Sequence, residues 1–521
     1  MNIVDFMEQR MIGRKVGNAL LDGMMEDKFT ANHESYDFPL QTHVVLSTIS
    51  ISVSSCGKLV ASTHGDHTVK IFNHIAASPV HVFHGHPRTP WTVKFHPSDS
   101  NFVASGCLGC EVRVWDIAQK CCRSFVRLEY SIISLAFQPE GPYIAVASGP
   151  QLHMWDWQHP KHTVRPGSYH PRVNEEQHIP LLSHSRNIRA VIFHPTGKIA
   201  FAAAPDPPRL PNATSTPCRM YSFLVTQDYV SRCREPMPLD SCSDIIPQVH
   251  LYSDGGLDIS SDGQYMFTCA LVLVNTAFNS PCQIREGSPA SVQAADGKER
   301  SSHGIISAAS TVLMRYMTPI MPRVERCSGD DSEMSLEDDN CSDSPHISRN
   351  PLESIRFLDH NIGRGVCCSR TLSPMLTNPD SDSEIVFADP KRSPPPPGWV
   401  VEERMCLFKL DSITDSSNTS IPAPSLVSSK PLPGSLMRAV TSMKISPSGR
   451  LGLIGYGVRS DGVVEHHDNV KVACEIMDLE TMTSRCVMTD EVDEVNIAQF
   501  HPVPGCGILY GTKRGRVRVF H

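Results

Sequence analysis

The feature that most constrains this chain is a pattern that recurs along it. Residues 81–117 read HVFHGHPRTPWTVKFHPSDSNFVASGCLGCEVRVWDI. A Gly-His pair (Gly85, His86) leads into alternating apolar residues that end in Phe-His-Pro. A small-residue strand through Ser105 follows, and then an alternating strand closes on Trp115-Asp116. Apolar alternation of period two, broken by Pro, Gly and Asp turns, is the signature of short antiparallel strands. Further copies align at 47–73, 131–157 (closing on Trp155-Asp156), 187–204, 256–274, 439–457 with 471–479, and 494–520. A unit of this length cannot bury its apolar face alone, so successive copies must stack.

This pattern resembles the WD repeat, the four-stranded blade of a β-propeller. Seven copies imply an all-β fold: a single seven-bladed propeller, with closure removing the exposed sheet edges. The last copy stops on its third strand, at His521, and residues 36–44 (YDFPLQTHV) precede the first copy. That segment is expected to supply the missing strand. Regular WD repeats bury a hydrogen-bonded His, Ser or Thr, Trp and turn Asp. His86, Ser105 and Trp115 match three of these, with Gly109 in the Asp position; the first copy has Asp66 but Phe72 in place of Trp. Asp66, His86, Ser105, Trp115, Asp116, Trp155 and Asp156 are therefore read as structural propeller residues, in incomplete networks.

Four regions follow: a helical arm at 1–35, a first propeller part at 36–274, an insertion at 275–401, and a second propeller part at 402–521. The insertion interrupts the fifth copy. Its low aromatic content and clustered charge give too little burial to offset chain entropy, so disorder is expected there. It holds Ser-Pro dipeptides at Ser288, Ser344, Ser373 and Ser393. These are candidate phosphorylation sites, with chance pairs in a solvated loop the alternative. Seven acids and one base between Cys327 and Asn350 carry −6 of the formal net charge of −8. The remaining body is nearly neutral, which predicts no direct nucleic-acid binding. No apolar run is long enough to span a bilayer and no signal peptide opens the chain, which predicts no membrane insertion, a cytoplasmic location with a nuclear pool as a second option, and reduced thiols.

In the arm, Ile12, Val16, Leu20 and Met24 recur every four residues, with Leu21 and Met25 alongside, an apolar stripe on a helix. Gly13, Gly17 and Gly23 weaken that helix, so it needs a groove on its own propeller or on a partner. Catalytic grammar is missing: no GxxxxGK[ST], GxSxG or HExxH occurs. His96, His194 and His501 each precede Pro at the same point of a repeat, which indicates architecture. Cys107, Cys110, Cys121 and Cys122 have a metal-like spacing, but adjacent strand cysteines face opposite ways, so no metal and no cofactor are expected.

Three stretches are similar to one family, the regulators called activating molecule in beclin-regulated autophagy (Ambra). These are LLDGMMEDK (20–28), the segment 61–116 containing GHPRTPW, and LAFQPEGPYIAVAS with MWDW (135–157); 256–264, 439–450 and 496–515 are similar too. The resemblance implies a non-catalytic substrate receptor of a cullin-four RING ubiquitin ligase, with a role in autophagy. Its implied partners are the DNA-damage-binding adaptor of that ligase, a protein substrate and autophagy-initiation proteins. It tips the arm toward a partner groove, with Leu20, Leu21, Met24 and Met25 as candidate adaptor contacts. Many such receptors carry Arg two residues after a Trp-Asp pair, where this chain has Ala118 and Gln158. The family's long extension beyond the propeller is not expected here. The alternative function is a WD-repeat scaffold in autophagy or trafficking without a ligase link.

Overall fold

A computed structural model describes residues 19–31, 34–38, 46–158, 178–205, 218–233, 235–251, 254–275, 385–387, 398–410, 424–432, 438–458, 472–490 and 493–521. Its strands form seven blades. Blade 1 runs from Thr48 to Phe83, blade 2 from Pro90 to Arg127, and blade 3 from Ile132 to Ser183, each four antiparallel strands in sequence order. A short strand, Met237–Pro238, adds in parallel to the rim of blade 3. Blade 4 comprises Ala190–Phe193, Ile199–Pro205, Cys218–Leu224 and Ser243–His250; blade 5 comprises Leu257–Ile259, Tyr265–Asn275, Trp399–Lys409 and Ser425–Pro431. Pairing of Val249–His250 with Ala270 and Cys269 fuses these two into one sheet. Blade 6 spans Arg438–Thr489.

Blade 7 takes three strands from the C-terminal stretch (Val495–Phe500, Ile508–Thr512, Val517–Phe520). Its fourth strand is Ser35–Asp37, antiparallel to the last. The pairing begins at Ser35 rather than 36, and backbone bonds join Glu34 to His521 in both directions. Residues 39–45 lie outside the described residues. The boundaries of the insertion also shift. Strand Tyr265–Asn275 includes position 275, and its partner begins at Trp399 rather than 402, because the two segments pair residue for residue along eleven positions. Ile385–Phe387, within the region read as disordered, pairs with Val272–Val274 of the same strand.

The innermost strand of each blade would leave unpaired N–H groups at the ring's centre. Neighbouring blades satisfy them with side chains. Ser52 accepts from Phe95 N at 2.9 Å, Ser134 from Val191 N at 3.2 Å, Asp258 from Ile445 N at 2.9 Å and Ser442 from Ala498 N at 2.8 Å. The core lies between blades: Phe83 of blade 1 stacks on Trp115 of blade 2 at 4.9 Å, and Val60, Val103 and Ile144 are fully buried.

Candidate functional site: the N-terminal helix and its seat

The turn after each blade's first strand builds one face of the ring. Five of these turns place a glycine at positive φ: Gly57, Gly197, Gly263, Gly449 and Gly505. Glycine adopts that region without the Cβ penalty. The residue that opens three of these turns latches the next blade. His501 accepts Val503 N–H on Nδ1 and donates from Nε2 to Gly57 O at 2.9 Å. His194 does the same with Thr196 N–H and Gly263 O, and Gln138 reaches Gly197 O at 2.8 Å. In blade 6 the latch position is Ser446, too short to bridge. There the N-terminal helix, Ala19–Ala31, takes the seat.

Glu26 is the centre of the contact. Its carboxylate accepts from Ser446 Oγ and Ser448 N, both at 3.2 Å, and from Ser448 Oγ. Asp27 pairs with Arg450 at 3.2 Å. Arg450 lies where a Cβ on Gly23 would sit, so the glycine that weakens the isolated helix is what admits the guanidinium. Gly505 of blade 7 closes on Met25 in the same way. Phe29 is buried in the cluster shared by blades 6 and 7, with Leu451, Cys486, Phe500, Ile508 and Phe520. Burial raises the Glu26 pKa, opposed by its bonds to Ser448 and Ser446 and by the charge of Arg450.

The buried residues of the described helix are Asp22, Gly23, Glu26 and Phe29, with Met25 half-buried against Gly505. Of the residues read as adaptor contacts, Met24 is 56% exposed, Leu21 and Met25 are half-buried, and Leu20 falls in the helix's first turn. Residues 1–18, with Ile12 and Val16, lie outside the described residues, as do Ser288, Ser344, Ser373 and Ser393. Serine at the latch position does not mark this seat in the sequence, since Ser54 and Ser260 occupy the same place in blades 1 and 5.

Of the residues read as structural, His86, Ser105, Trp115, Asp116 and Trp155 are buried, and Asp66 and Asp156 are half-buried. Ser105 Oγ accepts from Trp115 Nε1 at 2.7 Å and contacts His86 Nε2 at 2.6 Å. His86 Nδ1 is buried without a hydrogen-bond partner. Burial, with the Arg113 charge nearby, lowers the His86 pKa to about 3. In blade 3 the position matching Ser105 is Val146, and Trp155 Nε1 is buried without an acceptor. Asp66 holds Thr68 and pairs with Lys70, whereas Asp116 and Asp156 cap the turns at Gln119 and Gln158.

Charged groups also meet at the ring's centre. Asp254, in a 3-10 turn of blade 5, accepts from Thr92 Oγ1 at 2.9 Å and pairs with Lys94 at 3.7 Å, both in blade 2. Lys444 donates to Leu257 O at 3.1 Å and lies 3.9 Å from Asp258. Each cation faces a carboxylate, and Asp254 links blade 5 to blade 2. Among the described residues no three His, Cys, Asp or Glu side chains stand in metal-binding geometry. Cys107 and Cys110 flank the turn before strand Glu111–Asp116, while Cys121 and Cys122 open the strand after it, and burial raises the Cys122 thiol to about 11. No described helix is long and apolar enough to cross a membrane.

Comparison with known proteins agrees with this architecture. A family model, WD domain, G-beta repeat, matches residues 38–73 and 77–116. Activating molecule in BECN1-regulated autophagy protein 1B of Danio rerio is 36% identical over 154 residues, 29% of this chain and 11% of that protein. Protein 1A of the same organism is 29% identical over 287 residues, 51% of this chain and 21% of that protein. The chain thus spans about a fifth or less of the length of these relatives. The β-propeller domain of Cps50 (Swd1) from Myceliophteria thermophila aligns over 93% of this chain and 99% of its own, with TM-score 0.50 and 10% identity, a likeness of fold alone. These matches support an Ambra-like WD-repeat family.

Proposed function

We propose that this Ambra-like WD-repeat chain is a non-catalytic substrate receptor of a cullin-four RING ubiquitin ligase with a role in autophagy regulation. The DNA-damage-binding adaptor holds it through the outer face of the N-terminal helix, and the propeller recruits a protein substrate. Autophagy-initiation proteins are further proposed partners, in the cytoplasm and, as a second compartment, the nucleus. The observation that carries this reading is the inverted use of the helix. Polar groups seat it on the ring, so Met24, with half-buried Leu21 and Met25 beside it, remains on a helix held in fixed orientation. A pre-ordered apolar helix face is suited to a partner groove, since its ordering entropy is already spent before binding. Relatives named for autophagy are 36% and 29% identical over 154 and 287 residues, which supports the autophagy part of this reading.

A scaffold without a ligase link is favoured by a different observation, the Ala118 and Gln158 that stand where many such receptors carry Arg. Co-purification of the full-length chain separates the two. The receptor reading expects the adaptor and cullin to be captured by the wild type and lost with Leu21→Glu/Met24→Glu. Equal capture by both, or no capture by the wild type, refutes it.

A further inference from the structure

Blade 6 borrows from the helix a carboxylate that blade 5 carries in its own turn. In blade 5 the turn reads Ser260-Ser261-Asp262-Gly263-Gln264. Asp262 Oδ1 accepts from Ser260 Oγ and from Gln264 N, the latter at 3.0 Å. Ser260 Oγ accepts from Tyr265 N, and Gly263 N closes on Ser260 O. In blade 6 the turn reads Ser446-Pro447-Ser448-Gly449-Arg450, with the same Leu451 N to Ser446 Oγ and Gly449 N to Ser446 O bonds. Both glycines have positive φ, 75° and 81°. Ser448 stands in the position of Asp262, and the carboxylate contacting Ser446 Oγ is Glu26.

From this equivalence we infer that Ser448 is a phosphoacceptor whose modification releases the N-terminal helix. The hydroxyl is half-buried at a turn tip with open space around Gly449 and an exposed Arg450 beside it. A protein kinase would join Ser448 Oγ to the γ-phosphorus of a nucleoside triphosphate. The bridging bond to the diphosphate breaks, and the hydroxyl proton leaves to a base on the kinase. The phosphate places nearly two negative charges against the Glu26 carboxylate. Ser448 Oγ already lies 3.1 Å from Ser446 Oγ and accepts from Arg450 N at 3.2 Å, the two places that Asp262 fills in blade 5, so the phosphate can keep both and draw Arg450 from Asp27. The turn is completed from within as the helix is repelled, so blade 6 keeps its fold. This inference rests on the seat of the helix, not on what its outer face binds.

Hydrogen exchange on the full chain tests it. Ser448→Asp, and phosphoserine incorporated at 448, should lower protection of 19–31 at least tenfold, with 438–458 unchanged. Ser448→Asn, uncharged and of similar size, should retain protection, and Glu26→Gln combined with Ser448→Asp should restore it. Helix protection within twofold of wild type in the charged variants overturns the inference. So does equal loss with Asn, failure of the double variant to restore protection, or loss of protection in blade 6 with every 448 variant.

Discussion

His501 of the last blade donates from Nε2 to the carbonyl of Gly57 in the first, at 2.9 Å, and Gly57 has the positive φ that leaves this carbonyl exposed to it. The same side chain fixes its own turn through Nδ1. One residue thereby sets a turn and holds the seam where the chain's two ends meet. His501→Ala is expected to cost about 1–3 kcal/mol, since a buried carbonyl loses its donor. His501→Gln should recover most of that, because Gln138 already performs the inter-blade half of the role. Gly57→Ala should be costly as well, with a Cβ 2.4 Å from His501 Cε1. Denaturant midpoints of the three variants check this ordering.

The latch histidines were legible as a repeated Phe-His-Pro, and so was their structural meaning, because a residue recurring at one point of a repeat belongs to the repeat. The helix seat was not legible. Hydrophobic periodicity shows where apolar side chains line up, but among the described residues of that stripe Met24 is exposed while Met25 lies against Gly505 of blade 7. The docking residues are a glycine chosen for what its missing Cβ admits, and a glutamate whose partners lie more than 400 positions away. Strand Ser243–His250, the fourth of blade 4, carries Pro247 in its interior, a residue that argues against a central strand and hides this outer strand in the sequence.

Ser105 Oγ accepts from Trp115 Nε1 and is also hydrogen-bonded to His86 Nε2, both buried. Ser105→Ala should lower stability by about 2–4 kcal/mol, as His86 and Trp115 both lose their partner. Blade 3, with Val146 in that position, shows that a blade folds without the serine; the variant should stay folded with a lower midpoint.

Histidines buried in neutral form make the ring acid-sensitive. Burial lowers the pKa of His64 and of His86 to about 3 and that of His74 to about 4, and it lowers His96, His194 and His501. The unfolded chain binds these protons more readily, so stability is full above pH 6.5 and falls as pH drops through 6.5 toward the folded values. At pH 5, His64 and His86 should each cost about 2 kcal/mol. Urea unfolding between pH 7.5 and 4.5 reads this, with a flat profile as the contrary outcome.

Arg518 pins the closing strand by donating to Asp37 at 2.6 Å and to Asp490 at 3.0 Å. Its replacement by Ala should cost about 1–3 kcal/mol and raise amide exchange at 34–38 before it does so in blades 2 and 3. Uniform acceleration across all blades would show that the strand does not open separately.

The central claim is that the ring holds its helix so that an outer apolar face can bind the adaptor. The dissociation constant of the purified full-length chain for the purified adaptor tests this most directly. Met24→Glu should weaken binding at least tenfold while leaving the unfolding midpoint unchanged, and Val427→Glu, at an equally exposed site on blade 5, should have no effect. Binding by Met24→Glu as tight as by the wild type would contradict the account.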